Sequence, residues 1–162
     1  MEGGTLAREI DDIAKRKKYK QNQYGDRKSR KDDYTGERVF SGNTEKAIKK
    51  HPIDKISDTD HVTPIKVVQS RYKGLSDDQQ RIIANSEHNY AITNSKLNRS
   101  KGGLENHEYL MRQTLKGENP GLKTSAKMLE KEAESRIAMR VQATAMYTEN
   151  VVHKISDTDF AM

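Results

Sequence analysis

Two ionisable residues stand side by side in the middle of the chain, and two asparagines follow them. Asp60 precedes His61 directly, and Asn89 and Asn98 come later. An imidazole titrates near pH ~6.5, so it can take a proton from water at neutral pH. Carboxylate and amide oxygens are hard donors that suit Mg²⁺, with Mn²⁺ as a close substitute. These residue types match the needs of metal-assisted hydrolysis, which are a base to activate water and a cation for the developing charge.

The residues around these four form three motifs in a fixed order. The first spans 58–65 and reads Asp-Thr-Asp-His-Val-Thr-Pro-Ile; the second is Asn89-Tyr90; the third spans 94–103 and reads Asn-Ser-Lys-Leu-Asn-Arg-Ser-Lys-Gly-Gly. This combination resembles the signature of the HNH nucleases, which are also called His-Me finger or ββα-metal nucleases. That family has a D-H-[IV]-x-P strand, an N-[LY] start to a second strand, and an N-R-x-K-G helix. Each motif alone is common, but together and in this order they are fairly specific.

The resemblance implies a role for each of the four residues. His61 would be the general base, and Asp60 and Asn98 would hold one divalent cation, Mg²⁺, with Mn²⁺ or Ni²⁺ as substitutes. Asn89 would hold the loop after the first strand and thereby orient His61. The activity it implies is hydrolysis of phosphodiester bonds in DNA, with RNA as a second possible substrate, leaving 5′-phosphate and 3′-hydroxyl ends. The alternative is an HNH-fold module that binds nucleic acid without efficient cleavage.

Many HNH proteins also hold the finger together with a zinc ion bound by two C-x-x-C pairs. The corresponding positions here are Thr35 and Arg38, then Asn94 and Leu97, and the chain has no cysteine. Because all four ligands are missing together, the chain resembles the branch of the family without this zinc. The absence of cysteine also excludes disulfides and a cysteine nucleophile.

Several nearby polar residues have simpler interpretations. A lone histidine is more often a partly buried structural residue, and this alternative stays open for His61. We interpret Asp58 as a solvated or capping carboxylate rather than a third ligand. Colicin-like relatives have another ligand one turn beyond the helix residue, where this chain has Gly102, and His107 could reach the site only if the chain folded back. His88 precedes Asn89 and is expected at the surface, and two further histidines have no motif around them: His51 and His153.

The charge of the chain favours a polyanionic partner. The formal net charge is +6 and the pI is about 9.4, which favours nucleic acid as the first candidate partner and an anionic membrane as the second. Phosphate contacts are expected from the third motif and from a basic stretch over 15–31, with these candidates: Arg99, Lys101, Lys17, Lys18, Arg27 and Lys28. The simpler alternative is that the stretch forms a solvated basic face.

The chain has no apolar run near the ~20 residues of a membrane span, and its start does not resemble a secretory signal. We therefore expect no membrane partner and a cytoplasmic protein of phage or bacterial type. A toxin domain would instead be delivered to a target cell and would have an immunity protein as partner. Sequence specificity, nicking against double-strand cutting, and oligomeric state stay open.

The elements that must position the motifs follow from local patterns. A short hairpin is predicted over 33–40, strands over 61–68 and 90–93, and a helix over 95–101 that is capped by Asn94 or Ser95 and ended by Gly102-Gly103. Further helical segments are predicted at 5–23, 44–50, 76–84, 105–115 and 123–153.

These elements give an α+β class, with a ββα-metal finger embedded among flanking helices. We divide the chain into a basic N-terminal helical arm (1–32), a nuclease core (33–103) and a C-terminal helical extension packed on that core (104–162). Only 32% of the residues are hydrophobic and 33% are charged, so the core should be small. The hexapeptide Lys-Ile-Ser-Asp-Thr-Asp occurs at 55–60 and again at 154–159, and two distant copies do not make a repeat architecture.

Overall fold

A computed structural model describes residues 4–42 and 45–161. Within these residues the protein has a mixed α+β fold with eight α-helices and two antiparallel two-stranded sheets. The helices are α1 (Ala7–Ile10), α2 (Ile13–Tyr24), α3 (Glu45–Lys50), α4 (Ile65–Arg71), α5 (Asp77–Ala84), α6 (Ser95–Lys101), α7 (Asn106–Leu115) and α8 (Leu122–Ala161). The strands are β1 (Ser29–Lys31), β2 (Arg38–Phe40), β3 (Ser57–His61) and β4 (Tyr90–Asn94). None of the described helices has an apolar stretch that could span a bilayer.

The second sheet and the helix after it carry the three motifs. β3 pairs antiparallel with β4 over its whole length, so that His61 lies opposite Tyr90. α6 begins directly after β4, where the side chain of Asn94 accepts the amide of Leu97 at 2.8 Å. Gly102 ends the helix with a φ of 54°, a conformation that favours glycine. The predicted bounds of this helix, with Asn94 as its cap, are confirmed.

The strand predicted over 61–68 is wrong in position. β3 ends at His61, and α4 begins at Ile65. Pro64 stands immediately before α4 with a φ of −57°, and it has no amide hydrogen to donate to a sheet. Ile65 and Val68 are both buried because one helical turn places them on the same side. β-branched composition favoured the strand, but burial against the neighbouring helices favours the helix.

The N-terminal elements also differ from those predicted from the sequence. The helix predicted over 5–23 is broken into α1 and α2, because the side chain of Asp12 accepts the amide of Lys15 at 3.0 Å and starts a new helix there. The hairpin predicted over 33–40 is present, but its first strand lies earlier, at β1, and Tyr34 lies in the turn with its ring buried.

The remaining predicted helices are present as α3, α5, α7 and α8, and α8 continues to Ala161. Ser76 caps α5 as expected, accepting the amide of Gln79 at 3.2 Å. α3 begins at Glu45, and its predicted start at Thr44 lies outside the described residues.

Two apolar clusters hold the helices around β3 and β4. The first joins four helices through residues that include Ile10 (α1), Val68 (α4), Ile83 (α5) and Met139 (α8). The second contains these residues: Tyr34, Val62, Ala91, Tyr109, Leu110 and Met128. The first cluster contains residues from all three segments of the predicted division, which therefore share one core.

Candidate active site

α6 brings Asn98 to the carboxylates of β3. Side chains alternate along a strand, so Asp58 and Asp60 share one face of β3 and His61 points to the other. The Nδ2 atom of Asn98 lies 3.2 Å from Oδ2 of Asp58. The structure therefore places Asn98 beside Asp58, and both carboxylates lie on the strand face that α6 covers.

Lys101 corrects one expectation from the sequence. It was expected to contact phosphates from the helix surface, but only 1% of the residue is exposed. Its ammonium donates to Oδ2 of Asp60 at 2.7 Å and to the backbone oxygens of His61 and Val62 at 3.0 and 3.1 Å. The hydroxyl of Tyr34 donates to the same oxygen of Asp60 at 2.7 Å. Because all three ammonium hydrogens have acceptors inside the protein, Lys101 is an internal cation.

One nitrogen of His61 is committed to an asparagine. Nε2 lies 3.0 Å from Oδ1 of Asn85, and Nδ2 of Asn85 donates to the backbone oxygens of Ile10 and Arg81 at 2.8 Å each. These two donations fix the orientation of the amide, so its oxygen faces the imidazole. Nε2 must then carry the hydrogen, which leaves Nδ1 as the unprotonated nitrogen of the neutral ring.

The surroundings of His61 favour this neutral form. Burial lowers the pKa of His61, because the side chain is only 14% exposed. The bond to Asn85 and the carboxylate of Asp11, whose Oδ1 lies 3.6 Å from Nε2, oppose this shift without cancelling it, and the charge of Arg16 adds to it. Arg16 is itself held by Asp11 through two hydrogen bonds of 2.8 and 2.6 Å.

Asn89 binds the backbone just after β3. It is fully buried, and its Oδ1 accepts the amide of Thr63 at 2.7 Å while its Nδ2 donates to the oxygen of Thr63 at 3.0 Å and that of Ala84 at 2.8 Å. Ser135 of α8 donates to the same Oδ1 at 2.7 Å. Asn89 therefore holds the loop that follows His61, because it binds both the amide and the carbonyl oxygen of Thr63.

A cleft of about 460 Å³ opens beside Asp58 and Asn98. Its lining is mostly basic and consists of these residues: Arg16, Lys17, Lys20, Asp58, Thr59, Asn98 and Arg99. Lys17 and Arg99 are exposed, whereas Lys20 donates to the backbone oxygen of Ser57 at 2.6 Å and its pKa is lowered by burial. The cleft thus combines exposed cationic side chains with side-chain oxygen atoms of β3 and α6.

The other basic candidates lie outside the lining of this cleft. Lys18 is exposed on α2, and Lys28 is exposed between α2 and β1. Arg27 is also exposed, but its guanidinium donates to the backbone oxygens of Gln23 and Tyr24, at 2.8 and 3.3 Å, at the end of α2. These contacts place Arg27 where a cation stabilises the carboxyl end of a helix.

His107 belongs to a separate group with Glu105 and Glu132, whose ligand atoms lie within 4.8 Å of one another and could hold a metal. Nδ1 of His107 lies 2.7 Å from Glu132, so the histidine does not join Asp60 and Asn98. Glu105 already accepts from Arg71 and Arg136 at 2.7 Å each. Burial raises the pKa of Glu105, but the two guanidinium groups outweigh it and hold the pKa below its ordinary value.

Sequence reasoning missed three residues of this arrangement. Asp58 was interpreted as solvated or capping, although its place two residues before Asp60 on a strand predicts that the two share a face. Nothing in the local pattern marks Asn85 or Ser135, because their partners His61 and Asn89 lie 24 and 46 residues away.

No protein-family model, curated protein or solved structure matches this chain.

Proposed function

We propose that this protein is a metal-dependent HNH endonuclease that hydrolyses phosphodiester bonds in DNA, with β3, β4 and α6 as its ββα-metal finger. The observation that carries this proposal is the state of His61. Its Nε2 is committed to Asn85, its pKa is lowered by burial, and Nδ1 has no hydrogen-bond partner among the described residues. A neutral imidazole with one open nitrogen, next to a carboxylate at the end of a strand, is what a general base requires.

His61 acts on water in this proposal. The water oxygen bonds to phosphorus, its proton passes to Nδ1, and the 3′ oxygen of the broken phosphodiester bond leaves. Asn85 keeps the ring oriented by accepting from Nε2, and Asn89 keeps the backbone after β3 in place through Thr63. The products are 5′-phosphate and 3′-hydroxyl ends.

The oxygen atoms near the cleft fit a divalent cation, and we add Asp58 to the pair of ligands expected from the motifs because it contacts Asn98. Asp58 and Asn98 are in contact, and Asp60 lies on the same face of β3. Oδ2 of Asp60 is committed to Lys101 and Tyr34, so Oδ1 is the oxygen left for a cation. Asn98 would present its amide oxygen. Mg²⁺ suits such a hard donor set, with Mn²⁺ or Ni²⁺ as substitutes, and when bound it would stabilise the charge that develops on the phosphate.

The charge of the cleft favours a nucleic-acid backbone as ligand. Lys17 and Arg99 are exposed cations on α2 and α6, the two helices that border the cleft. Contacts of this kind position a phosphate backbone without reading its sequence. We therefore expect binding that weakens steeply with salt and depends little on DNA sequence.

A second candidate function is nucleic-acid binding without efficient cleavage. The pair between Lys101 and Asp60 favours it, because the ammonium already compensates the carboxylate that would attract a metal. A protein of this kind would bind DNA with the same salt dependence but would not cut it.

Plasmid cleavage in Mg²⁺, with EDTA as the metal-free arm, distinguishes the two. We expect cleavage in Mg²⁺ only, and a loss of about 10²–10⁴-fold in rate for His61→Ala, with DNA binding nearly unchanged. His88→Ala is the matched control, since His88 has 59% of its side chain exposed. Absence of nicking and cutting in Mg²⁺, Mn²⁺, Ni²⁺ and Ca²⁺ would leave only the binding function.

A further inference from the structure

The outward face of α8 carries an apolar stripe that is largely exposed. The helix buries a first stripe that includes Met128, Met139 and Ala143. The exposed stripe on the opposite side contains six β-branched residues: Ile137, Val141, Thr144, Thr148, Val151 and Ile155. Between 56% and 67% of the surface of its four aliphatic members is exposed. The steps between successive members alternate between four and three residues, which is the repeat of a coiled-coil seam.

The two exposed threonines in this stripe bond their hydroxyls to the backbone of their own helix. The hydroxyl of Thr144 donates to the backbone oxygen of Arg140 at 2.7 Å, and that of Thr148 donates to the oxygen of Thr144 at 2.8 Å. Both hydroxyls are therefore already satisfied within the helix. Covering the stripe would leave no unpaired donor, so the threonines can be buried as valine would be.

The last turns of α8 extend past the body of the protein. Asn150 exchanges hydrogen bonds of 2.9 and 3.1 Å with Gln79 of α5, and residues 151–157 after it are all exposed. The helix nevertheless continues to Ala161, about 16 Å further at ~1.5 Å per residue. A solitary helix of this length is marginal in water, and Val151 and Ile155 face outward along it. Packing against another helix would stabilise these turns.

We propose that the exposed stripe binds α8 of a second copy of this chain, forming a two-helix coiled coil. The alternating spacing calls for a helix with the same repeat. Two copies of the stripe are complementary, since each β-branched side chain of one helix would pack against a β-branched side chain of the other. No charged residue interrupts the stripe between Ile137 and Ile155. Within the described residues every other helix has 12 residues or fewer, so only α8 is long enough to cover it. Homo-oligomers commonly pair one patch with its own copy.

The stripe also has a defined start. Glu134 occupies the position one heptad before Val141, and 54% of its side chain is exposed. A carboxylate there ends the apolar seam before it reaches the part of α8 that packs beside the site. The proposed contact is therefore independent of the nuclease proposal and of whether the protein cleaves DNA.

Sedimentation equilibrium of the full chain over a concentration series tests this contact. We expect a monomer–dimer equilibrium, and a dissociation constant raised at least about tenfold in Val141→Glu/Val151→Glu, since two carboxylates per chain would enter the seam. The matched control is Ala133→Glu/His153→Glu, which introduces two glutamates at exposed positions of α8 outside the stripe. Circular dichroism verifies that each variant keeps its helicity.

Retained dimerisation in the control, with loss in the stripe variant, supports the contact. A wild type that stays monomeric up to about 0.1 mM overturns it. So does a dimer that survives both substitutions, or one that the control also loses. The single variant Val151→Glu lies on the projecting turns, so it repeats the test without touching the part of α8 that packs on the core.

Discussion

At the scale of single residues, His61 is distinguished by what surrounds its two nitrogens. Asn85 accepts from Nε2, and burial disfavours the imidazolium. Asp11 is close enough to favour protonation, but Arg16 pairs with that carboxylate and limits its influence. The fold therefore keeps His61 neutral under conditions where an exposed histidine would begin to take up a proton.

The lowered pKa of His61 predicts the pH dependence of cleavage. The acid limb of kcat/KM should lie below pH ~6.5, because the base loses activity only when Nδ1 is protonated. The same shift contributes to stability: the unfolded chain binds the proton more readily, so the contribution is complete above the unfolded pKa and is lost as pH falls through the folded one. Rate profiles from pH 4.5 to 8.5 measure the acid limb of cleavage. NMR titration measures the pKa of His61 in the folded protein, with the His61 signal assigned by comparison with His61→Ala. An acid limb above pH 7 would contradict the assignment.

The buried pair of Lys101 and Asp60 gives a second prediction at this scale. Lys101→Met should lower the free energy of unfolding by about 3–5 kcal/mol, because it leaves the carboxylate uncompensated. Adding Asp60→Asn should recover part of this loss. Lys96→Met is the control, since Lys96 is exposed on the same helix. Denaturant unfolding measures all of these, and a Lys101→Met protein as stable as the control would rule out a structural role for the pair.

At the scale of elements, a carboxylate joins the β1–β2 turn to the start of α6. Asp32 is 1% exposed, and its oxygens accept five hydrogen bonds. The donors are the amides of Tyr34, Thr35 and Asn94, the side-chain amide of Asn94 and the hydroxyl of Thr93. Under the proposed HNH assignment, Thr35 and Asn94 correspond to two cysteine positions of zinc-bearing HNH proteins. On that assignment, a buried carboxylate joins here the two segments that a zinc ion joins in those proteins.

Replacing this carboxylate should loosen the hairpin from α6. Asp32→Asn substitutes an amide nitrogen for one acceptor and leaves buried donors unpaired, so we expect a loss of about 2–4 kcal/mol in the free energy of unfolding. Thermal melts without added metal measure it, and Asp54→Asn is the control because Asp54 is exposed. If Asp32→Asn has the same melting temperature as the control, the hydrogen bonds of Asp32 do not hold the hairpin to α6.

At the scale of the whole molecule, the C-terminal helix reaches the loop behind His61. Ser135 of α8 is fully buried, donates to Asn89, and lies 3.0 Å from the hydroxyl of Thr63. The loop after β3 is therefore positioned by Asn89 and Ser135, which come from two distant parts of the chain. This contact connects the extension to the candidate site even though α8 contributes no residue to the cleft.

Removing this hydroxyl tests the connection. Ser135→Ala should lower kcat roughly tenfold with little change in KM for DNA, because the loop shifts while the binding cleft stays intact. The acid limb of the pH profile should move as well, which a merely structural loss would not cause. Ser125→Ala is the control, since the hydroxyl of Ser125 donates to the backbone oxygen of Gly121 at the start of the same helix, away from the loop after β3. Equal kcat in both variants would separate α8 from the site.

The local signals in the sequence determined the elements closest to the site. Asn94 and Gly102 define both ends of α6, and Ser76 defines the start of α5, because caps act over three or four residues. The adjacency of Asp60 and His61 is likewise a property of the sequence. At these positions the signal depends only on neighbouring residues, so the sequence alone was enough to predict it.

The partners of those residues were decided by the tertiary structure alone. His61 meets Asn85, Asp60 meets Lys101 and Ser135 meets Asn89 across 24, 41 and 46 residues, and no local pattern encodes such distances.

The hexapeptide Lys-Ile-Ser-Asp-Thr-Asp shows most directly that tertiary structure decides what local sequence does not. From Ser57 to Asp60 the first copy is a strand because β4 pairs with every residue of it, whereas the copy at 154–159 lies within α8 and is helical. Identical residues adopt two structures because the hydrogen-bond partners and the buried surface around them differ, and these exist only once the whole chain has folded.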